Sequence, residues 1–290
     1  MKRLKITICL AVMCVMAAVN TASADTIQGM EMDFVNIGIA GNSADTTGYG
    51  AVGYNYRIGK YEVTNAQWNA FTSSVGVPTG NPSEAYNSSS CFTDAQQPTT
   101  NVSWYEAAQF CNYLTSGDKS LGVYLLGTDG SITVDRTASI STYGTAYVIP
   151  TENEWYKAAY YKPDGSGYSL YANGLNTIPA ADNGWNYAGG SYLSPWDVGN
   201  GTIEQNGTFD MMGNVWEHNE TLISQVYSYR GLRGGSFDYD LNNPLASSTW
   251  YFGGQTSEYY SVGFRVASVP EPATLALFGL GGLMLRRRKK

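Results

Sequence analysis

Residues Gly207–His218 read GTFDMMGNVWEH, and the fold turns on how this stretch is read. Asn206-Gly207 is a turn former, and Gly213-Asn214 suits a corner whose backbone takes positive φ. Acids stand beside aromatics, Asp210 after Phe209 and Glu217 after Trp216. Neither a helix nor a strand needs this mixture, whereas a braced loop leading into a strand does.

Outward from that loop, the chain has 290 residues, of which 43% are hydrophobic and 13% aromatic, enough to bury a sizeable core. Thirty-three glycines and 23 tyrosines against 14% charged residues point to a loop-rich fold rather than a helical bundle.

Both ends stand apart. Lys2, Arg3 and Lys5 precede the apolar run Ile6–Val19, and Ala22-Ser23-Ala24 fits a small-x-small cleavage site, so residues 1–24 read as a signal peptide and 25–29 as a linker. The run is shorter than the roughly 20 apolar residues of a membrane span. At the other end Val269-Pro270-Glu271-Pro272 leads into the apolar run Ala273–Leu285 and then Arg286-Arg287-Arg288-Lys289-Lys290. This three-part tail, residues 268–290, resembles the PEP-CTERM sorting signal of bacteria that make exopolysaccharide. The resemblance implies a transient anchor with its basic tail on the cytoplasmic side, processing by an exosortase near Pro270-Glu271-Pro272, and delivery to the surface or the extracellular matrix. Exosortase and the secretion machinery are the partners expected on this reading.

Those two ends hold eight of the 17 basic residues and one of the 24 acids, leaving nine basic and 23 acidic residues in between, about −14. Such a surface argues against nucleic acid, whose phosphates need clustered cations, and is compatible with divalent cations or neutral glycans. Cys9 and Cys14 belong to the leader. Cys91 and Cys111 remain for an oxidising compartment, where they either form one disulfide or stay as separate buried thiols.

Along the chain, Met32–Val35 and Tyr54–Tyr61 read as strands, Val63-Thr64-Asn65 as the strand's end and a helix cap before Gln67–Phe71, and 76–97 as a Ser/Asn/Pro-rich loop. Ser103-Trp104-Tyr105-Glu106 is a capping box opening a helix through Leu114, and Thr151-Glu152-Asn153-Glu154 opens another over Trp155–Tyr161. Residues 121–148 alternate like hairpins, and 229–267 combine strand with long loop. With no internal repeat and no interdomain linker, the expectation is one domain over 30–267.

Six blocks in order carry a family likeness: Tyr56–Asn65, Asn101–Ala108, Ile149–Trp155, the opening stretch, Leu232–Phe237 and Val262–Val266. Together they resemble the sulfatase-modifying-factor family, which includes the formylglycine-generating enzyme. The resemblance implies a single-domain, loop-rich, mixed α+β fold related to C-type lectins.

It also implies what to look for chemically. The formylglycine-generating enzyme binds copper with two cysteines between its Arg-Gly-Gly-Ser and Gly-Phe-Arg blocks, and Cu(I) needs such soft ligands. Here Phe237–Val262 holds no cysteine; the expected slots fall near Pro244 and Thr249, and the downstream arginine slot near Phe252. Copper is therefore not expected. The iron-dependent sulfoxide synthases of the family need three histidines, and this chain has only His218, which reads as a packing residue. An oxidoreductase acting on a protein or small molecule stays open as the alternative function.

The resemblance further implies calcium, held by main-chain oxygens of Met212, Gly213 and Val215 and the carboxylate of Glu217, since Ca²⁺ favours hard oxygen ligands. A second family site would match Asn186 and Tyr187. The alternative is that Glu217 pairs with an arginine or a backbone amide. Finally, the aromatic and small polar residues after Phe237 make a good binding surface, with Ser236, Tyr239, Trp250, Tyr251 and Tyr259 as candidate contacts. The leading expectation is thus a surface module without the copper pair, binding polysaccharide or another surface protein.

Overall fold

The structure is a computed structural model that describes residues 23–187, 194–224, 229–238 and 254–270. Its elements run β1 (Ser23–Ile27), β2 (Met30–Ile37), β3 (Tyr56–Gly59), α1 (Asn65–Val75), α2 (Trp104–Ser116), β4 (Tyr124–Leu126), β5 (Ile132–Val134), α3 (Arg136–Tyr143) and β6 (Thr145–Val148). α4 (Glu152–Tyr160), β7 (Trp216–Ser224), β8 (Tyr229–Arg233), β9 (Val262–Gly263) and β10 (Ala267–Pro270) complete the order.

Capping chemistry sets the helix starts. Thr64, Ser103 and Thr151 each accept the N3 amide, and Gln67, Glu106 and Glu154 each reach back to the N-cap amide. α1 continues past Phe71 to Val75, with the Thr72 and Ser74 hydroxyls donating back to the carbonyls of Asn69 and Ala70, so neither side-chain polar group is left competing from outside the helix. α2 is buried from Trp104 to Thr115 and ends at Gly117, whose φ of 85° suits glycine. α3 is absent from the sequence reading. Its residues are weak helix formers, but Asp135 accepts the Ala138 amide and caps it.

β1 corrects the expected linker at 25–29. It pairs with β2 from Ser23↔Phe34 to Ile27↔Met30 across Gln28-Gly29, both at positive φ, as a tight hairpin turn requires. The antiparallel sheet runs β1-β2-β3-β10-β6, so the last strand lies inside it and the domain extends to Pro270 rather than to 267. A second sheet, β8-β7-β9, carries the strand that follows the Gly207–Val215 loop.

The core lies between α2 and the long sheet. Trp68, Phe71, Phe110 and Phe264 pack ring to ring at centroid distances of 5.3–6.2 Å, the range in which edge-to-face pairs add to simple burial. Among the described residues no helix is long and apolar enough to cross a membrane.

Candidate functional site

Asn214 organises the loop that opens the sequence reading. It sits at φ 60° and is fully buried, a conformation Asn tolerates better than most residues. Its Nδ2 donates to both oxygens of Glu62 at 3.1 and 3.2 Å, and its Oδ1 accepts from Asn186 Nδ2 at 3.1 Å and the Trp196 amide at 2.8 Å. Its own amide donates to the Asn186 carbonyl at 2.7 Å, and its carbonyl accepts the Phe237 amide. Beside it, Gly213 has φ 91°, and a Cβ there would lie 2.3 Å from the Asn186 oxygen. Only glycine fits.

Glu217 closes the loop from the strand side. Its carboxylate accepts from Arg265 Nε and Nη2, each at 2.6 Å, and from Trp155 Nε1 at 2.7 Å. Neither side chain of the pair is exposed. Burial disfavours the Arg265 charge, but the attraction of Glu217 outweighs it and holds the guanidinium above its ordinary value. Three further buried acids surround Arg265. Burial, chiefly, pushes Glu204 up to about 8, Asp210 up to about 6 and Glu62 well above the carboxylate range.

Calcium, as the resemblance implied it, would have to share the Glu217 carboxylate with Arg265 and Trp155. Ca²⁺ takes six to eight oxygens, and both Glu217 oxygens already accept hydrogen bonds from those two side chains. Of the other expected ligands, Met212, Gly213 and Val215 do lie in the buried loop beside Glu217. The Asn186 carbonyl is taken by Asn214, and the Tyr187 hydroxyl donates to the Pro179 carbonyl at 2.5 Å. Among the described residues no group of three or more His, Cys, Asp or Glu side chains could hold a metal ion. His218 is a packing residue, with Nε2 2.9 Å from the Val102 carbonyl and burial pushing the ring down to about 4.

The two thiols are not joined. Of the two readings, the disulfide is not formed, and the thiols are free but not both buried: Cys91 is exposed on a loop and Cys111 is buried in α2. Ser236 is also corrected: it is fully buried and donates to Asp238 Oδ1 at 2.5 Å, which makes it a brace rather than a contact. Tyr259 is exposed. Tyr239, Trp250 and Tyr251, like the slots at Pro244, Thr249 and Phe252, lie outside the described residues.

An opening that the sequence reading did not single out lies beside that surface. A groove of about 560 Å³ runs between the start of α1 and the 86–102 segment, lined by Asn65, Trp68, Asn69, Thr72, Tyr86, Asn87, Ser88–Ser90, Phe92, Thr100, Asn101 and Glu106. Asn65 Nδ2 donates to the carbonyls of Phe92 and Asp94, and Asn101 Nδ2 to that of Ser89, so two amides hold the wall. Glu258 accepts the Ser88 amide at 3.1 Å, and the Asn101 amide donates to the Tyr259 carbonyl. Phe92 packs edge-on against Phe237 at 5.5 Å, which joins the groove to the surface expected from sequence.

The groove is nearly uncharged. Its lining includes one carboxyl, Glu106, and no basic side chain. Burial, with Glu258 close by, pushes Glu106 up to about 8, so at neutral pH it is mostly protonated. The density of Asn and Ser in 76–97 was the available sequence signal, but it also marks any loop.

Comparison with known proteins agrees with this architecture. The chain superposes on Treponema denticola variable protein 1 with a TM-score of 0.60 at 20% identity, covering 88% of this chain and 100% of that one. It superposes on CarF at 0.61 and 22%, covering 83% and 99%, and on PvdO from Pseudomonas aeruginosa at 0.56 and 15%, covering 86% and 98%. At these identities the likeness is one of fold. The chaperone protein LppX of Paenibacillus barcinonensis is 24% identical over 214 residues, 65% of this chain and 71% of that protein. The PEP-CTERM protein-sorting motif matches residues 268–289, which implies export to the surface or beyond and recognition by exosortase-type machinery. The family model for the sulfatase-modifying factor enzyme 1-like domain matches residues 48–269, and the chain belongs to that family.

Proposed function

We propose that the domain is a surface-sorted binding module whose groove takes a neutral polysaccharide. One observation carries this reading: the groove presents side-chain amides and hydroxyls between half-buried aromatic rings, with a single carboxyl that is mostly neutral. Sugar hydroxyls both donate and accept, as Asn side chains do, and the apolar face of a pyranose ring packs on rings such as Trp68 and Tyr86. Phosphorylated or strongly acidic ligands would lack a basic partner here.

The family's copper chemistry finds no support, because Phe237–Val262 contains no cysteine. Binding of the exported domain to soluble neutral and acidic polysaccharides, followed by calorimetry, tests the proposal. Saturable heat with a neutral polymer and none with an acidic one is expected. Stoichiometric Cu(I) binding with oxygen consumption on a cysteine peptide would replace the proposal with an oxidase.

A further inference from the structure

We propose that one end of the long sheet faces the lipid bilayer while the domain is anchored, and that the groove end points away from it. The inference rests on reading the apolar run Ala273–Leu285 as membrane-directed. The strand registers carry it from there.

Ile37 pairs with Tyr56 at one end of β2 and β3, and Pro270 pairs with Thr145 at the same end of β10 and β6. The chain enters β1 at Ser23, opposite Phe34, and runs away from that end, so the leader side of the chain points to it as well. The sorting tail therefore joins the domain at this end of the sheet, the end from which the mature chain also enters β1. The opposite end, where Gly59 leaves β3 and Ala267 enters β10, leads through 60–64 into Asn65 and through Arg265 into the braced loop. The groove and the membrane-directed tail are on opposite ends of the same five strands.

There is little slack between strand and tail. Residues 268–270 are at once β10 and the start of the sorting motif. Strand pairing, on both sides at Ala267 and Ser268 and with β6 as far as Pro270, fixes the direction of β10 up to two residues before Pro272. Three exposed apolar side chains stand next to this end in the chain, Ile39 after β2, Tyr54 before β3 and Tyr143 before β6, at 45%, 41% and 41% exposure, although exposed apolar residues are not confined to it. Tyrosine at a membrane–water boundary keeps an apolar ring and a hydroxyl both satisfied. The acid excess of the domain opposes adsorption to anionic lipid, which leaves the tether and these few side chains to set the orientation.

The test uses the full chain in phosphatidylcholine vesicles, with Cys9, Cys14 and Cys91 replaced by serine. An environment-sensitive dye is placed at Tyr143→Cys or at Ser89→Cys, and lipids carrying a headgroup quencher are added; Tyr54→Cys substitutes if Tyr143→Cys does not fold. Flotation with the vesicles and quenching several-fold stronger at position 143 or 54 than at 89 are expected. Flotation with equal or reversed quenching overturns the orientation. Failure to float overturns the anchoring reading on which it rests.

Discussion

Glu217 and Arg265, 48 residues apart in sequence, are joined by two 2.6 Å hydrogen bonds with neither side chain exposed. The pair ties β7 to the segment that enters β10, and Trp155 adds a third donor from α4. A carboxylate so engaged is a structural clamp on the Gly207–His218 loop.

Removing one partner leaves the other charge buried and alone. Arg265→Met should cost about 3–5 kcal/mol, a fall in Tm of roughly 10 °C for a domain of this size. Thermal melting checks this. A shift within about 1 °C, under the same scaling, would mean the clamp is dispensable.

Calcium should not be needed to hold the loop. A site binding calcium tenfold below its free concentration would add about 1.4 kcal/mol. Melts with added calcium and with chelator are expected to coincide, and separation by several degrees would restore a calcium role.

Buried acids give stability a definite pH slope. Glu106 and Glu204, both pushed up to about 8, bind more protons folded than unfolded between their ordinary 4.5 and that value, so stability falls as pH rises through this window. His218, pushed down from 6.5 to about 4, has the opposite sign but only below 6.5. Melting temperature should therefore drop from pH 6.5 to pH 8, and Glu106→Gln should flatten part of that drop. A Tm that climbs over the same interval contradicts the assignment.

The end of the domain can be located by truncation. Ser268 is fully buried, its hydroxyl accepts from Arg57 Nη2 at 3.1 Å, and β10 lies between β3 and β6. A chain stopped after Pro270 should fold, whereas one stopped after Ala267 should lose its cooperative melt. Equal stability of the two would place the boundary at 267.

The parts legible in the sequence were local. Capping boxes at Ser103 and Thr151 are decided by four neighbouring residues, and both form as read. Gly213-Asn214 likewise announced its positive φ. Partner choice was not local: Glu217 could meet a cation, an amide or Arg265, and only the return of the chain to the sheet selects the arginine. The groove is assembled from α1, the 86–102 loop, Glu106 and the neighbourhood of Glu258, four segments whose proximity no periodicity encodes. β1 and α3 were missed for a smaller reason, since Gln28-Gly29 and Asp135 are single-residue signals in polar surroundings.

The most direct test of the central claim is calorimetric titration of the exported domain with a neutral polysaccharide, comparing the wild type with Asn69→Ala/Asn87→Ala. Both asparagines line the groove and are exposed, so the melt should not change. Affinity should fall at least tenfold, about 1.4 kcal/mol. Unchanged affinity in the double variant, or no binding by the wild type, would contradict the account.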